Sequence, residues 1–361
     1  GAIVFEGGTL SFINAGYLVH EIGAGAGGDG TLHLRKAGVF SLAEGTPWRI
    51  GAGNNAVGRI ILDPGVTVGL GSSLTVNQSS SAAVVQPLAS GTLQTANLIV
   101  GASAAGGSGT LAVVSNGVFR TALGGAGTYV RIGSGGSGVG YLTIADDGVV
   151  TLQTREHTLG YGHANADGTI NLNGGTLGIR GGYPLTGGAG QSGVHFNGGT
   201  LKPVESGGAL VQNLTRASIQ AGGAHVDSDG FNVSIDQALE HDAALGDVPD
   251  GGLTKRGAGT LNLTGTNTYT GPTRVNDGTL TLSTPCLDSV ADVWLSSNAT
   301  LNLDFKGTNT IGALYIDGVA KPRRVWGAVG TFCERETPRI TGPGRLKVTG
   351  PPLKGAVLTI W

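Results

Sequence analysis

Seven carboxylates, Asp227, Asp229, Asp236, Glu240, Asp242, Asp247 and Asp250, fall in one stretch of the chain, with His225 and His241 among them. Clustered acids beside a base are what glycosidic acid–base chemistry or a bound cation requires. Local spacing argues for turns instead, because Asp227-Ser228-Asp229-Gly230 and Asp250-Gly251 have the Asp-Gly form that reverses a chain. Asp-x-Asp-Gly is also too short for a calcium loop, which needs further ligands. Arg155-Glu156-His157, with His163 and Asp167, offers a metal or catalytic pair around one loop, yet a lone histidine on a polar loop is ordinarily solvated. Gly133, Gly135 and Gly138 match a phosphate-binding pattern that demands a following helix. An alternating strand, Tyr141-Leu142-Thr143-Ile144, follows instead. No Gly-x-Ser-x-Gly nucleophile elbow occurs. The expectation is a protein that is not an enzyme and has no catalytic, cofactor-binding or metal site.

The two cysteines, Cys286 and Cys333, lie in one C-terminal region, and in an oxidising compartment they are expected to pair as a disulfide. Alone they cannot make a zinc site. Asn77, Asn213, Asn232, Asn262 and Asn298 match Asn-x-Ser/Thr, a match that abundant Asn and Thr produce by composition.

The elements that must carry these residues are unusual. Of 361 residues 68 are Gly, and only 13% are charged, about half the usual share. Glycine lacks the three-residue register of collagen. Aliphatic residues are too plentiful for a disordered tail. No apolar run is long enough to span a membrane. A net charge of −2 gives no bulk attraction to nucleic acid. The charge is nevertheless polarised: residues 204–250 hold eight acids and one cation, Arg216, whereas eight cations stand from residue 320 onward against Glu334 and Glu336. Complementary contact between subunits is the better reading of the basic end, which lacks the aromatic platform of a single-strand binder.

An internal repeat organises the first half. An apolar residue and Gly, a small-residue loop, then Gly and an alternating strand recur at Ile22-Gly23, Ile50-Gly51, Val100-Gly101, Ile132-Gly133 and Leu159-Gly160. A degenerate copy is read at Val68-Gly69 with Leu74-Thr75-Val76. Each copy has a second half, a turn such as Ser115-Asn116-Gly117 followed by another strand. Period-2 alternation without a 3.6-residue stripe predicts short strands and almost no helix. A sandwich or barrel also has closely spaced strands, but a whole recurring unit of roughly 20–30 residues favours a β-solenoid, whose stacked coils bury each other's inward face.

The second half is more specific. Gly257-Ala258-Gly259-Thr260-Leu261, Asn267-Thr268-Tyr269-Thr270-Gly271 and Gly278-Thr279-Leu280 follow Leu253-Thr254-Lys255. Together they closely resemble the autotransporter-associated β-strand repeat of bacterial exported proteins. Flanks such as Gly222-Gly223-Ala224 and Ile311-Gly312-Ala313-Leu314, with Trp326-Gly327-Ala328, extend the resemblance over roughly 194–349. The resemblance implies export and an all-β, right-handed parallel β-helix. It does not imply one activity, because members include adhesins, enzymes and passive stalks. The organisation expected is a Gly-rich solenoid over 1–193, a solenoid with this repeat and a terminal module over 194–350, and a tail over 351–361.

The function expected is an exported structural protein of the cell surface or extracellular space, its leader not present in this chain. Its main partner is a second copy of itself. Gly1-Ala2-Ile3-Val4-Phe5 resembles the internal rung Gly193-Val194-His195-Phe196, so Ile3, Val4 and Phe5 are expected to sit on an open edge. Arg345-Leu346-Lys347-Val348 should be the last rung, after which Pro351-Pro352 breaks the strand. Beyond lie Val357, Leu358, Ile360 and Trp361, a strand-former that either folds back as a cap or is donated to the next subunit. The competing reading is a glycan-binding adhesin or a polysaccharide lyase or hydrolase, with surface glycans as partner. Only 19 scattered aromatics disfavour it.

Overall fold

The computed structural model describes residues 2–5, 20–23, 26–35, 38–42, 47–52, 56–77, 83–84, 88–89, 91–102, 107–123 and 125–350. The chain divides into two compact units between Ser218 and Ile219. Each is a parallel β-helix. The only helical turn among the described residues is a 3-10 turn, Ala243–Leu245, capped by the Asp242 carboxylate.

In the first unit the repeat becomes a stack of in-register rungs. The strand Val139–Leu152 lies parallel between Ser108–Val114 and Asp167–Arg180, and the latter pairs onward with Gln191–Phe196. The pairing aligns Leu111, Leu142, Ile170 and Val194 in one ladder, and Val113, Ile144, Leu172 and Phe196 in the next. All eight are at most 1% exposed. Alternation at period 2 sends the intervening Thr, Asn and Ser outward. One rung cannot bury its apolar face alone, so the core is continuous along the stack.

The apolar-Gly anchors form a third ladder, Ile22, Ile50, Val76, Val100, Ile132 and Leu159. Its second residue takes positive φ, as at Gly133 (φ 67). In the third rung Asn77 does so instead (φ 58), so the copy read at Val68-Gly69 is corrected to Val76-Asn77. Asn tolerates this conformation better than other side chains do. Val68 belongs to a different face, between Phe40 and Leu93. Asn77 is buried and donates from Nδ2 to the Ser108 carbonyl at 2.8 Å.

In the second unit the ladders are Ala224, Leu253, Thr273, Val293 and Leu314, and Val226, Lys255, Val275, Leu295 and Ile316. Residues 314–348 depart from simple stacking. Val319–Ala320 lies antiparallel on Leu314–Ile316. Arg345–Val348 pairs parallel with Thr308–Ile311, and Val325–Gly327 lies antiparallel on its other edge. Arg335–Glu336 then pairs with Val325–Gly327. Arg345–Val348, expected as the last rung, is thus covered by two further strands. The two-residue strands Val319–Ala320 and Arg335–Glu336 are exposed. Short, charged or reversed edge strands discourage further pairing.

Candidate functional site

The acidic stretch is dispersed over strand ends, turns and connections. Asp227 accepts the Asp229 backbone N–H at 2.9 Å, and Asp229 itself sits at φ 50 before Gly230. Asp236 accepts from the Thr264 hydroxyl at 2.8 Å, and Asp242 accepts from Gln220 Nε2 at 2.8 Å. Asp250 is the structural centre of the stretch. Its side chain is fully buried, and its carboxylate accepts the N–H groups of Gly252, Thr270 and Gly271. It also accepts from the Thr270 hydroxyl at 3.1 Å. His241 completes the group, with Nδ1 3.0 Å from Asp250 Oδ2 and Nε2 3.0 Å from the Gly246 carbonyl. Both neighbours are acceptors, so both ring nitrogens donate when the ring is protonated, and the Asp250 bond raises the His241 pKa. Burial chiefly, and then Arg256 and Arg274, lower that of His225. No group of three His, Cys, Asp or Glu side chains among the described residues could hold a metal.

The Arg155-Glu156-His157 group is likewise structural in geometry. Glu156 forms a fork with Arg131, at 2.7 and 3.1 Å. The Arg131 guanidinium lies between the rings of Tyr129 and Tyr161, 4.1 and 3.7 Å from their centroids. His157 is buried, and its Nδ1 donates to the Tyr183 carbonyl at 2.7 Å. Burial pulls its pKa down to about 4, so the ring is neutral at neutral pH. His163 Nδ1 accepts the Asn165 N–H, whereas Asp167 accepts the Thr169 hydroxyl. Gly133 belongs to the strand Val130–Ser134, and Gly135 and Gly138 lie in the connection to Val139–Leu152, so the Gly-x-Gly-x-x-Gly match runs from one strand into the next. Farther along, Trp294 and Tyr315 stack on each other with centroids 3.7 Å apart.

Lys255 was not singled out by its sequence context. It occupies an inward ladder position, and its buried ammonium shares its three N–H donors among four oxygens. These are Ser228 Oγ at 3.0 Å and the carbonyls of Arg256, Gly257 and Asp277 at 2.8, 2.6 and 3.1 Å. Burial lowers its pKa to about 8, against the pull of Asp277 and Asp227. The available signal was the alternation itself: Leu253 and Lys255 share one face of their strand.

Cys286 and Cys333 are free thiols, which corrects the expected disulfide. Each sulfur has its own surroundings. Cys286 Sγ lies 3.6 Å from Asn267 Nδ2, and burial raises its pKa. Cys333 Sγ donates to the Arg335 carbonyl at 2.8 Å and receives the Thr331 hydroxyl at 3.5 Å.

Ile3, Val4 and Phe5 lie in the strand Ala2–Phe5, whose backbone pairs in register with Leu32, His33 and Leu34. Val357, Leu358, Ile360 and Trp361 lie outside the described residues.

The motif that marked the second unit is explained residue by residue. Asn267 Oδ1 accepts the Leu239 N–H at 2.9 Å, tying its rung to the one before. Tyr269 is buried with its hydroxyl 2.7 Å from Thr273 Oγ1. A Cβ at Gly271 would meet the Asp250 carbonyl at 2.2 Å. These features are those of a parallel β-helix that carries a passenger-type repeat. Residues 253–282 match the family model of the passenger-associated-transport repeat. The chain carries this repeat, and the repeat family implies a secreted or surface passenger domain. Neither the curated proteins nor the solved structures contain a match. No helix among the described residues is long and apolar enough to cross a membrane.

Proposed function

We propose that this chain is a structural, non-catalytic component of a bacterial exported assembly, and that copies join head to tail into a filament or stalk. The segment 351–361 of one copy pairs with Ala2–Phe5 of the next. The observation that supports this reading is the difference between the two terminal strand edges. Ala2–Phe5 is hydrogen-bonded to Asp29–Leu34, and among the described residues no other strand pairs with it. The edges beyond Leu314–Ile316 and Arg345–Val348 are instead occupied by antiparallel strands. Direct stacking on those edges is blocked, which leaves the apolar segment carrying Val357, Leu358, Ile360 and Trp361 as the donor strand. Such a contact is heterologous and does not close on itself.

Sedimentation velocity of the intact chain and of residues 1–350 tests this. The intact chain should form concentration-dependent polymers, and the shortened one should remain a folded monomer. Excess synthetic peptide 351–361 should dissolve the polymers. Equal assembly of both chains, or a strictly monomeric intact chain, overturns the reading.

A further inference from the structure

The connection between Val325–Gly327 and Arg335–Glu336 presents an aromatic ring to solvent in an unusual way. Phe332 is 94% exposed and Val329, in the same loop, 68%. Phe332 also holds φ 53, a left-handed backbone that a bulky residue rarely takes. Such a conformation persists only where its surroundings over-determine it. They do so here. The Glu336 carboxylate accepts the N–H groups of both Gly330 and Phe332, at 3.0 and 2.8 Å. Arg345 Nη2 donates to the Thr331 carbonyl at 3.0 Å, and the Thr331 hydroxyl closes the loop on the Ala328 carbonyl at 2.7 Å. The loop is built to hold Phe332 outward.

Its surroundings are basic. Residues 320–350 contain seven Lys and Arg against two acids, Glu334 and Glu336. Both acids are turned to internal work, Glu336 on the loop backbone and Glu334 on the Val325 N–H and Arg324. Arg335, on the edge strand, and Lys347, on the strand paired with Val325–Gly327, are exposed. Neither has an ion pair among the described residues.

We propose that this loop is a docking tip for an anionic phospholipid surface, with Phe332 and Val329 entering the headgroup boundary and Arg335 and Lys347 meeting lipid phosphates. Apolar insertion and attraction to anionic lipid act together in such contacts. A second copy is the poorer occupant: apposing two such tips brings like charges together, and Asp227, Asp236, Asp242 and Asp250 of the acidic stretch are already committed to hydrogen bonds within their own unit. The tip includes no residue of segment 351–361, so its test is separate from that of filament formation.

Flotation of the intact chain with phosphatidylcholine vesicles, with and without about 30% phosphatidylglycerol, reads the contact directly. The chain should float with the anionic vesicles alone. Phe332→Ser should weaken partitioning by about ten-fold, and Arg335→Gln and Lys347→Gln by about five-fold each. All three side chains are exposed, so the melting temperature should stay unchanged. Absence of flotation, equal binding to neutral vesicles, or undiminished binding by Phe332→Ser overturns the proposal. So does a vesicle-free oligomer of residues 1–350 that Phe332→Ser dissolves, which would make a second copy the occupant.

Discussion

Lys255 stands in a ladder between Val226 and Val275 and joins carbonyls from successive rungs through one ammonium. Removing that ammonium leaves buried carbonyl oxygens short of donors, a loss larger than that of an ordinary surface ion pair. Lys255→Met keeps the volume and removes the donors. It should lower the unfolding free energy by about 2–4 kcal/mol, read from denaturant midpoints, and a loss below about 1 kcal/mol would show the ammonium to be incidental. His157 gives a pH-dependent counterpart. Its pKa is about 4 in the folded chain against 6.5 when unfolded. Between those values the unfolded chain binds the extra proton, so stability is fully present above pH 6.5 and declines as the pH falls toward 4. The site's share of that decline is about 3 kcal/mol. His157→Asn retains a donor for the Tyr183 carbonyl, and its melting temperature should fall less across this range than that of the parent chain.

Among the elements, the repeat's two glycines share a need for room, and the first adds a second reason. At Gly133 the backbone takes positive φ, and a Cβ would also meet the Asp167 carbonyl oxygen at 2.0 Å. At Gly168 room alone is the requirement, because a Cβ would meet the Ile132 carbonyl oxygen at 1.9 Å. Gly168→Ala should therefore cost more than about 3 kcal/mol, since backbone cannot yield. Gly162→Ala, with positive φ but open space around it, should cost only about 1 kcal/mol. Equal melting temperatures for the two variants would remove the close-approach explanation. The same chemistry explains what the sequence revealed. Alternating strands and paired glycines made the stacked ladders readable, because both follow from backbone geometry. The Val76-Asn77 anchor escaped because Asn replaced the glycine. The covering strands Val319–Ala320 and Arg335–Glu336 escaped because two residues carry no period. Asp227-Ser228-Asp229-Gly230 makes the turn that its Asp-Gly spacing implies, closed by the Phe231 N–H on the Ser228 carbonyl, whereas Asp250-Gly251 makes none. The buried contacts of Asp250 with Thr270 and His241 depend on adjacent rungs, which spacing alone does not align.

At the scale of the whole molecule, side chains that first resemble catalytic groups are engaged in holding rungs and turns together, while apolar ladders form the cores. Small neutral walls, stacked rungs within each unit and covered edges at Leu314–Ile316 and Arg345–Val348 fit the structural role proposed for the chain. Negative-stain electron microscopy of the intact chain over rising concentration tests the central claim most directly. The account predicts filaments that lengthen with concentration and are absent from residues 1–350. Separate single particles at every concentration, or filaments unaffected by removing residues 351–361, would contradict it.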